Sequence, residues 1–322
     1  MLNSASVRLA KPILLRLTFG VLSLFFISLV TFFAAALTPG DAATAIAGDK
    51  ATPETVARIR HEMGLDRPWP IRYVKFVVDA GHGDFGKSYF GTREDVGSVV
   101  RRTLPLTVKT ATLAIIIASF VGILLGTLAA VYQHRMADRS VLVFSTLGVT
   151  IPNFVFAPLL VYIFSMRLGW VPLIWTTDMT SSEFYYLVLP VLLLASRPMA
   201  LITRLTRAMM IDTFQQEFIR TATAKGVPRG RLIFRHALRN AILPVITTVG
   251  TSFGFLLTGS FVIERYFVMP GLGSTTIEAI QKGDMPVIQA GILITGSMFI
   301  ILNLLVDILL PILDPRIRES QI

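Results

Sequence analysis

The stretch ATLAIIIASFVGILLGTLAAV, Ala111 to Val131, contains 21 residues without a single charged side chain. A bilayer core about 30 Å thick is crossed by roughly 20 apolar residues in a helix. Inside lipid no water is present to bond the backbone amides, so such a run must be helical. The stretch therefore predicts a membrane-spanning helix, and similar runs divide the rest of the chain.

Five further runs have the same character. The 322 residues are 53% hydrophobic and only 16% charged, whereas soluble domains carry about 25% charged residues. We predict an all-α integral membrane protein with six transmembrane helices. Prolines 152, 158 and 190 are expected to kink the helices that contain them. The predicted spans are residues 17–37, about 107–132, 140–166, 184–203, 240–263 and 286–310.

The distribution of basic residues indicates how the spans are oriented. If both termini are cytoplasmic, the inner segments hold sixteen Lys and Arg residues and the two short outer loops hold three. That asymmetry follows the positive-inside rule. We therefore predict an inner-membrane protein with cytoplasmic tails at 1–16 and 314–322, a long cytoplasmic loop at 204–239 and an outer segment at 38–102. The alternative for the first run, a cleaved signal peptide, is disfavoured because its 21 uncharged residues exceed a signal core of about 7–15.

The outer segment 38–102 has the local signals of folded helices. Thr52 is a suitable N-cap for a helix with Pro53 at its first position, and Gly64 lies just past the expected end. After Pro68-Trp69-Pro70, apolar residues at 71, 74, 77 and 78 repeat at helical spacing. Two interpretations remain open, a small helical cap or a docking surface for another outer protein.

The same segment contains GHGDFGKS, Gly81 to Ser88, which fits the phosphate-loop pattern G-x-x-x-x-G-K-[ST]. A working phosphate loop needs a strand before it and a helix starting at its Lys-Ser. Residues 74–79 have the composition of a strand, but Tyr-Phe-Gly-Thr-Arg after Ser88 predicts no helix. With the loop also placed on the outer face, we predict that Gly81, Gly86, Lys87 and Ser88 bind no phosphate.

Several chemistries are excluded or disfavoured by composition. The chain has no cysteine, and its four histidines have no metal-ligand spacing. The formal charge of +10 follows from membrane topology, and no aromatic stacking platform accompanies it, so nucleic-acid binding is not expected. We predict no metal site, no catalytic residue and no enzymatic activity of the chain itself.

The basic loop carries the most informative motif, with Gln216 to Pro228 followed by Arg235 to Pro244. Gly226 suits the left-handed position that ends a helix, and Pro228 suits the first turn of the next one. Lys225 falls in the last helical turn, where the helix dipole favours a cation. The loop is therefore predicted as a helix, a sharp turn and a second helix.

This loop resembles the EAA-type loop of ABC importer membrane subunits. Arg220 and Thr221 stand where the general loop has Glu and Ala, and Arg239 stands where it has Pro. The sequence is instead similar to the variant of the peptide and nickel permease group, and resembles its dipeptide/oligopeptide "B" subunit across essentially the whole chain. Other stretches agree with that group: Gly83 to Gly86, Leu168 to Pro172, Pro270 to Gly273 and Leu313 to Arg318.

The resemblance implies a type I ABC importer permease fold and a set of partners. These are a homologous second permease subunit, two cytoplasmic ATPase subunits that hold ATP and Mg, and an extracytoplasmic binding protein. The chain itself would bind no cofactor and would form half of a path for short peptides. The resemblance also implies a coupling helix in contact with the ATPase, formed by Glu217, Phe218, Arg220, Thr221, Ala222, Lys225, Gly226, His236, Arg239 and Asn240.

Two further groups of residues are candidates. Gly122 and Gly126, and likewise Gly250 and Gly254, form small-residue faces on which helices approach closely. By the resemblance, residues Pro270, Gly271, Leu272 and Gly273 would contact the binding protein or a gate.

Alternatives remain for the cargo and the class of transporter. Members of the permease group that this sequence resembles transport nickel chelates, glutathione and haem-like molecules as well as peptides. A more remote alternative is an ATP-independent channel or ion-coupled carrier, which would predict intramembrane carboxylates or internal repeats.

Overall fold

The computed structural model describes residues 4–37, 42–48, 51–90, 92–176 and 182–313, so the predicted tail from Asp314 lies outside it. Within these ranges every regular element is helical, apart from one isolated bridge between Lys87 and Asp95. The first helices are α1 (Ser4–Leu37), α2 (Ala42–Ala47), α3 (Pro53–Glu62), α4 (Trp69–Gly81), α5 (Val96–Val131), α6 (Met136–Thr150) and α7 (Asn153–Leu160), which a π-helical segment, Val161–Arg167, extends. The others are α8 (Glu183–Phe214), α9 (Glu217–Ala224), α10 (Arg229–Arg231), a π-helical segment at Leu232–Ala237, α11 (Leu238–Tyr266), α12 (Leu272–Lys282) and α13 (Met285–Leu313).

Five of the described helical stretches are long and apolar enough to cross a bilayer. A sixth span results if α6 and the stretch Asn153–Arg167 are counted together. The predicted all-α membrane architecture with six transmembrane segments is confirmed. The five stretches are Leu15–Ala34, Val96–Val131, Glu183–Phe214, Arg229–Tyr266 and Met285–Ile308.

The third span is broken, whereas one helix was predicted across 140–166. Helix α6 ends at Thr150, and the next helix leaves it at 111°. Ile151 has φ −79° and ψ 119°, an extended conformation of the kind that a following proline imposes. Pro152 therefore produces a complete break. By contrast, Pro158 and Pro190 lie inside helices that continue past them.

The fourth span is longer than predicted. Helix α8 continues from the expected end at residue 203 to Phe214 because its inner face stays buried there. Thr206, Met210 and Thr213 recur at helical spacing on that face. The loop predicted at 204–239 is consequently mostly helical, with short turns at residues 215–216 and 225–228.

The helices belong to two compact units. The first comprises Met1–Thr107 and Met269–Ile301, and the second comprises Val108–Val268 and Leu302–Ile322. The core of the first unit contains Val96, Val100, Leu272, Ala279, Val287 and Ala290. In the second unit, a buried cluster of Ala130, Met210, Ile219, Ala237 and Ala241 joins α9 to its neighbours.

The helix signals read from the outer segment are confirmed. Helix α3 starts at Pro53, and the Thr52 hydroxyl accepts a hydrogen bond from the Thr55 amide at 3.3 Å. Gly64 follows the helix with φ +65°, a left-handed conformation that glycine adopts without strain. The apolar residues after Trp69 lie on one continuous helix, α4.

Candidate functional site

Helix α9 is a short, two-sided element between the end of α8 and the start of α10. Ile219 points inward and is 5% exposed, in the cluster formed with Met210, Ala237 and Ala241. Its neighbour Phe218 is 43% exposed. One large apolar side chain thus holds α9 to the protein while the next one is presented to solvent.

The end of α9 is a complete Schellman motif. The Val227 amide donates to the Ala222 carbonyl at 3.2 Å, and the Gly226 amide donates to the Thr223 carbonyl at 3.0 Å. Gly226 has φ +74°, the left-handed conformation predicted for it. These bonds satisfy carbonyls at the end of the helix, so the turn toward Pro228 has a fixed direction.

The exposed side of α9 combines charge with apolar surface. Glu217, Arg220, Thr221 and Lys225 are exposed, whereas Ala222 is half-buried. The Arg220 guanidinium donates to the Glu217 carboxylate at 2.8 Å, with both side chains mostly in solvent. A pair this exposed contributes little stability on its own, so its charges are available to a partner surface.

The other predicted site residues lie at the junction with α11. Arg239 and Asn240 are exposed and His236 is half-buried. The Asn240 side-chain amide donates to the His236 carbonyl at 2.7 Å, across the place where the π-helical segment meets α11. That segment packs against α9, so the structure brings both parts of the predicted site into one region of the second unit.

Two residues that sequence reasoning missed also lie in this region. Phe234, in the π-helical segment, is 59% exposed and adds a second large apolar side chain to the surface. Ile219, the buried anchor, was also not selected. A signal for Ile219 was present, because it falls at a helical position opposite the charged residues of α9.

A buried ion pair lies near the C-terminal end of α8 and was not predicted. The Arg207 guanidinium donates to both carboxylate oxygens of Asp138, at 2.5 and 2.8 Å, and the His134 amide donates to the same carboxylate at 2.9 Å. The Asp138 side chain is 3% exposed and that of Arg207 is 20% exposed. The pair fixes the start of α6 to α8 one turn before Met210, which belongs to the same buried cluster as Ile219 of α9.

Three of the four predicted packing glycines lie where helices nearly touch. A Cβ on Gly122 would lie 2.9 Å from Ile202, and one on Gly126 would lie 2.5 Å from the Thr203 carbonyl oxygen. A Cβ on Gly250 would clash in the same way with the side chain of Val306. Gly254 is buried in α11.

The loop before α12 is mostly turned into the first unit. Gly271, Leu272 and Gly273 are buried, and the Leu272 amide donates to the Thr107 hydroxyl at 2.9 Å. Only Pro270 among the four predicted contact residues is exposed. The buried residues are placed to hold the loop in position, and Pro270 is the one of the four whose side chain is accessible at the surface.

The phosphate-loop lookalike has a different geometry from a phosphate loop. The segment before it is helix α4 rather than a strand, which corrects the strand-like interpretation of residues 74–79, and no helix starts at Ser88. The Gly86 amide donates a hydrogen bond to the Asp84 carboxylate at 2.8 Å, and the Ser88 hydroxyl donates one to the Asp284 carboxylate. These two donors of the phosphate-loop pattern are therefore used within the chain.

Close to this turn, Glu94 forms a two-pronged ion pair with Arg102, at 2.9 and 3.1 Å. Hydrogen bonding from that guanidinium holds the pKa of the Glu94 carboxyl below its ordinary value. The pair connects the turn to the first part of α5.

Comparison with known families agrees with this geometry. Residues 122–319 match the model of the binding-protein-dependent transport system inner membrane component, and residues 9–111 match the N-terminal model of the same kind of protein. The chain belongs to this family. It is therefore a multi-pass inner-membrane permease subunit of a binding-protein-dependent transport system, with the type I ABC importer permease fold.

Individual relatives of this permease match over nearly their full length. A protein of Brucella abortus, whose name describes a peptide transport system permease, is 38% identical over 309 residues, which cover 95% of this chain and 98% of the relative. The glutathione transport system permease protein GsiC of Escherichia coli K12 is 37% identical over 296 residues, covering 92% and 95%. The resemblance drawn from the loop and the other stretches is confirmed.

Proposed function

We propose that this permease forms half of an ATP-driven import path for short peptides and that α9 couples the path to a separate cytoplasmic ATPase. The observation that carries the proposal is the two-sided α9. Its inner face, through Ile219, joins the buried cluster that includes Met210 of α8 and Ala241 of α11. Its outer face presents Phe218 among charged side chains.

The geometry makes α9 a suitable transmitter of motion. Helices α8 and α11 both contain membrane-spanning stretches, and each contributes to the cluster around Ile219. Coupling between distant sites requires a packed element that both sites can bias. A shift imposed on Phe218 and its charged neighbours would move Ile219 and, through it, the inner ends of two spans.

The proposed assembly follows from family membership. A homologous second permease subunit completes the path, two ATPase subunits hold ATP and Mg, and an extracytoplasmic binding protein delivers the cargo. Both termini face the cytoplasm in this proposal, because the basic residues of the short loops are concentrated on that side. The chain itself catalyses no reaction.

A peptide-like cargo is supported by the relatives' names. The Brucella abortus relative is named for peptide transport and the E. coli relative for glutathione, which is itself a short peptide. We therefore take a short peptide, glutathione included, as the cargo class.

The energy source tests this proposal. In cells expressing the complete transport system, we expect uptake of a labelled short peptide to stop when ATP is depleted with the proton gradient maintained. Uptake should persist when the gradient is collapsed with ATP maintained. The matched control is a strain lacking only this chain. Uptake that follows the proton gradient and ignores ATP would overturn the ATP-driven importer.

A further inference from the structure

Helix α4 in the first unit has an apolar face that the rest of the described chain leaves uncovered. Ile71, Val74 and Val78 are 52%, 60% and 51% exposed and lie at i, i+3 and i+7, which places them along one side of the helix. Trp69 at the start of the helix is also exposed, at 55%. A continuous exposed apolar patch of this kind indicates an interaction surface.

The opposite side of α4 is packed on the membrane-spanning helix α1. Tyr73 is buried edge-on against Phe25 and Phe32, with ring centroids 6.1 and 5.4 Å away. The tyrosine hydroxyl also forms a hydrogen bond of 2.8 Å with the hydroxyl of Ser28. Helix α4 is thereby fixed along α1.

The contact residues on α1 set the depth of α4. Helix α1 ends at Leu37, and its uncharged run is Leu17 to Leu37. Phe32, which contacts Phe76 of α4 with ring centroids 5.8 Å apart, lies five residues before that end, or about 8 Å along the helix axis. Trp69 contacts Phe33, four residues before the end, with ring centroids 5.4 Å apart. The helix therefore lies at the level where the acyl chains meet the headgroups, not in the water beyond them.

The chemistry of the surrounding surface matches that depth. Beside α4, helix α1 keeps Phe26 and Val30 exposed, as expected for a surface that faces lipid. Lys75 is exposed at one edge of the same face, four residues after Ile71 and three before Val78. A tryptophan at one end and a charged flank beside an apolar stripe are typical of helices that lie in the membrane interface.

From these contacts we infer that α4 is an interfacial helix embedded in the lipid leaflet at the C-terminal end of α1. The stripe of Ile71, Val74 and Val78 contacts phospholipid acyl chains, and Lys75 lies among the headgroups. By the proposed topology this leaflet is the outer one. Part of the segment 38–102 is then a lipid anchor beside α1, and neither a water-exposed cap nor a docking surface for a protein.

Site-directed spin labelling tests this assignment, because the chain has no native cysteine. The full chain, with the subunits that copurify with it, is reconstituted in phosphatidylcholine–phosphatidylglycerol nanodiscs. Labels at Val74→Cys, Val78→Cys and Ile71→Cys are compared with a label at Asp79→Cys, which lies on the polar flank of the same helix, eight residues after Ile71. Collision rates are measured with oxygen, which concentrates in lipid, and with a neutral nickel chelate, which stays in water.

We expect oxygen collisions to dominate at positions 71, 74 and 78 and nickel collisions to dominate at position 79. Nickel-dominated collisions at 71, 74 and 78 would mean that α4 lies in water and would overturn the proposal. Protection of the three positions from both reagents would mean that a protein covers the stripe, which also overturns it. The collision rates do not depend on the energy source of transport. The lipid contact of α4 can therefore be wrong while the proposed function is right, and the reverse.

Discussion

Replacing Gly126 with alanine is expected to destabilise the second unit strongly, although the change adds a single methyl group. The new Cβ would lie 2.5 Å from the Thr203 carbonyl oxygen and 2.7 Å from the Thr206 Cβ, both on α8. Because the nearest atom is part of the backbone, no side-chain rotation relieves the clash. Overpacking costs about 1–3 kcal/mol and occasionally more, and the close approach here favours the upper end.

The measurement is the temperature at which the detergent-solubilised chain loses its monodisperse elution peak. Gly259→Ala is the matched control, because Gly259 lies in α11 and its new methyl group would have no neighbouring atom within 4 Å. Alanine in a helix is favoured over glycine by about 1 kcal/mol, so the control should be unchanged or slightly more stable. Equal melting of Gly126→Ala and Gly259→Ala would show that α5 and α8 do not approach as described.

Asp138→Asn is expected to have the second large effect. Removing the carboxylate charge leaves the Arg207 guanidinium, 20% exposed, without its bidentate partner. Breaking a buried ion pair costs about 3–5 kcal/mol, because one desolvated charge remains. Partial exposure of Arg207 places the expected loss at the lower end of that range. Transport should fall as well, since the pair lies one turn from Met210, which shares a buried cluster with Ile219, the anchor of α9.

Two comparisons make this prediction specific. The double variant Asp138→Asn with Arg207→Met should recover part of the lost stability, because it leaves no unpaired charge. Asp95→Asn removes half of an exposed pair with Arg101, 3.8 Å apart, and should cost no more than about 1 kcal/mol. A melting temperature for Asp138→Asn equal to that of Asp95→Asn would mean that the buried pair does not stabilise the C-terminal part of α8.

Local chemistry made much of the fold predictable. Uncharged runs identified the spans, because a bilayer demands helices of a known length. The cap at Thr52 and the left-handed turn at Gly226 were predicted because each depends on residues within a few positions. The strand-like stretch at 74–79 was ambiguous, since short apolar runs fit a strand or a helix equally well.

What the sequence did not predict depends on distant partners. The extension of α8 to Phe214 follows from burial of Met210 against other helices, which no local pattern reports. The pairing of Asp138 with Arg207 joins residues 69 positions apart. The proline at 152 indicated a kink, but whether a helix bends slightly or turns by 111° is decided by the packing around it.

The central claim, that α9 contacts a separate ATPase, is tested most directly by cross-linking from a single cysteine. Ala222→Cys lies on the half-buried edge of α9, and Ile219→Cys, one turn earlier in the buried cluster, is the matched control. In membranes that transport actively, we predict an adduct between the Ala222→Cys chain and an ATPase subunit. The yield should change when ATP and Mg are added, and Ile219→Cys should give no adduct. Active transport without any ATPase adduct from position 222 would contradict the account.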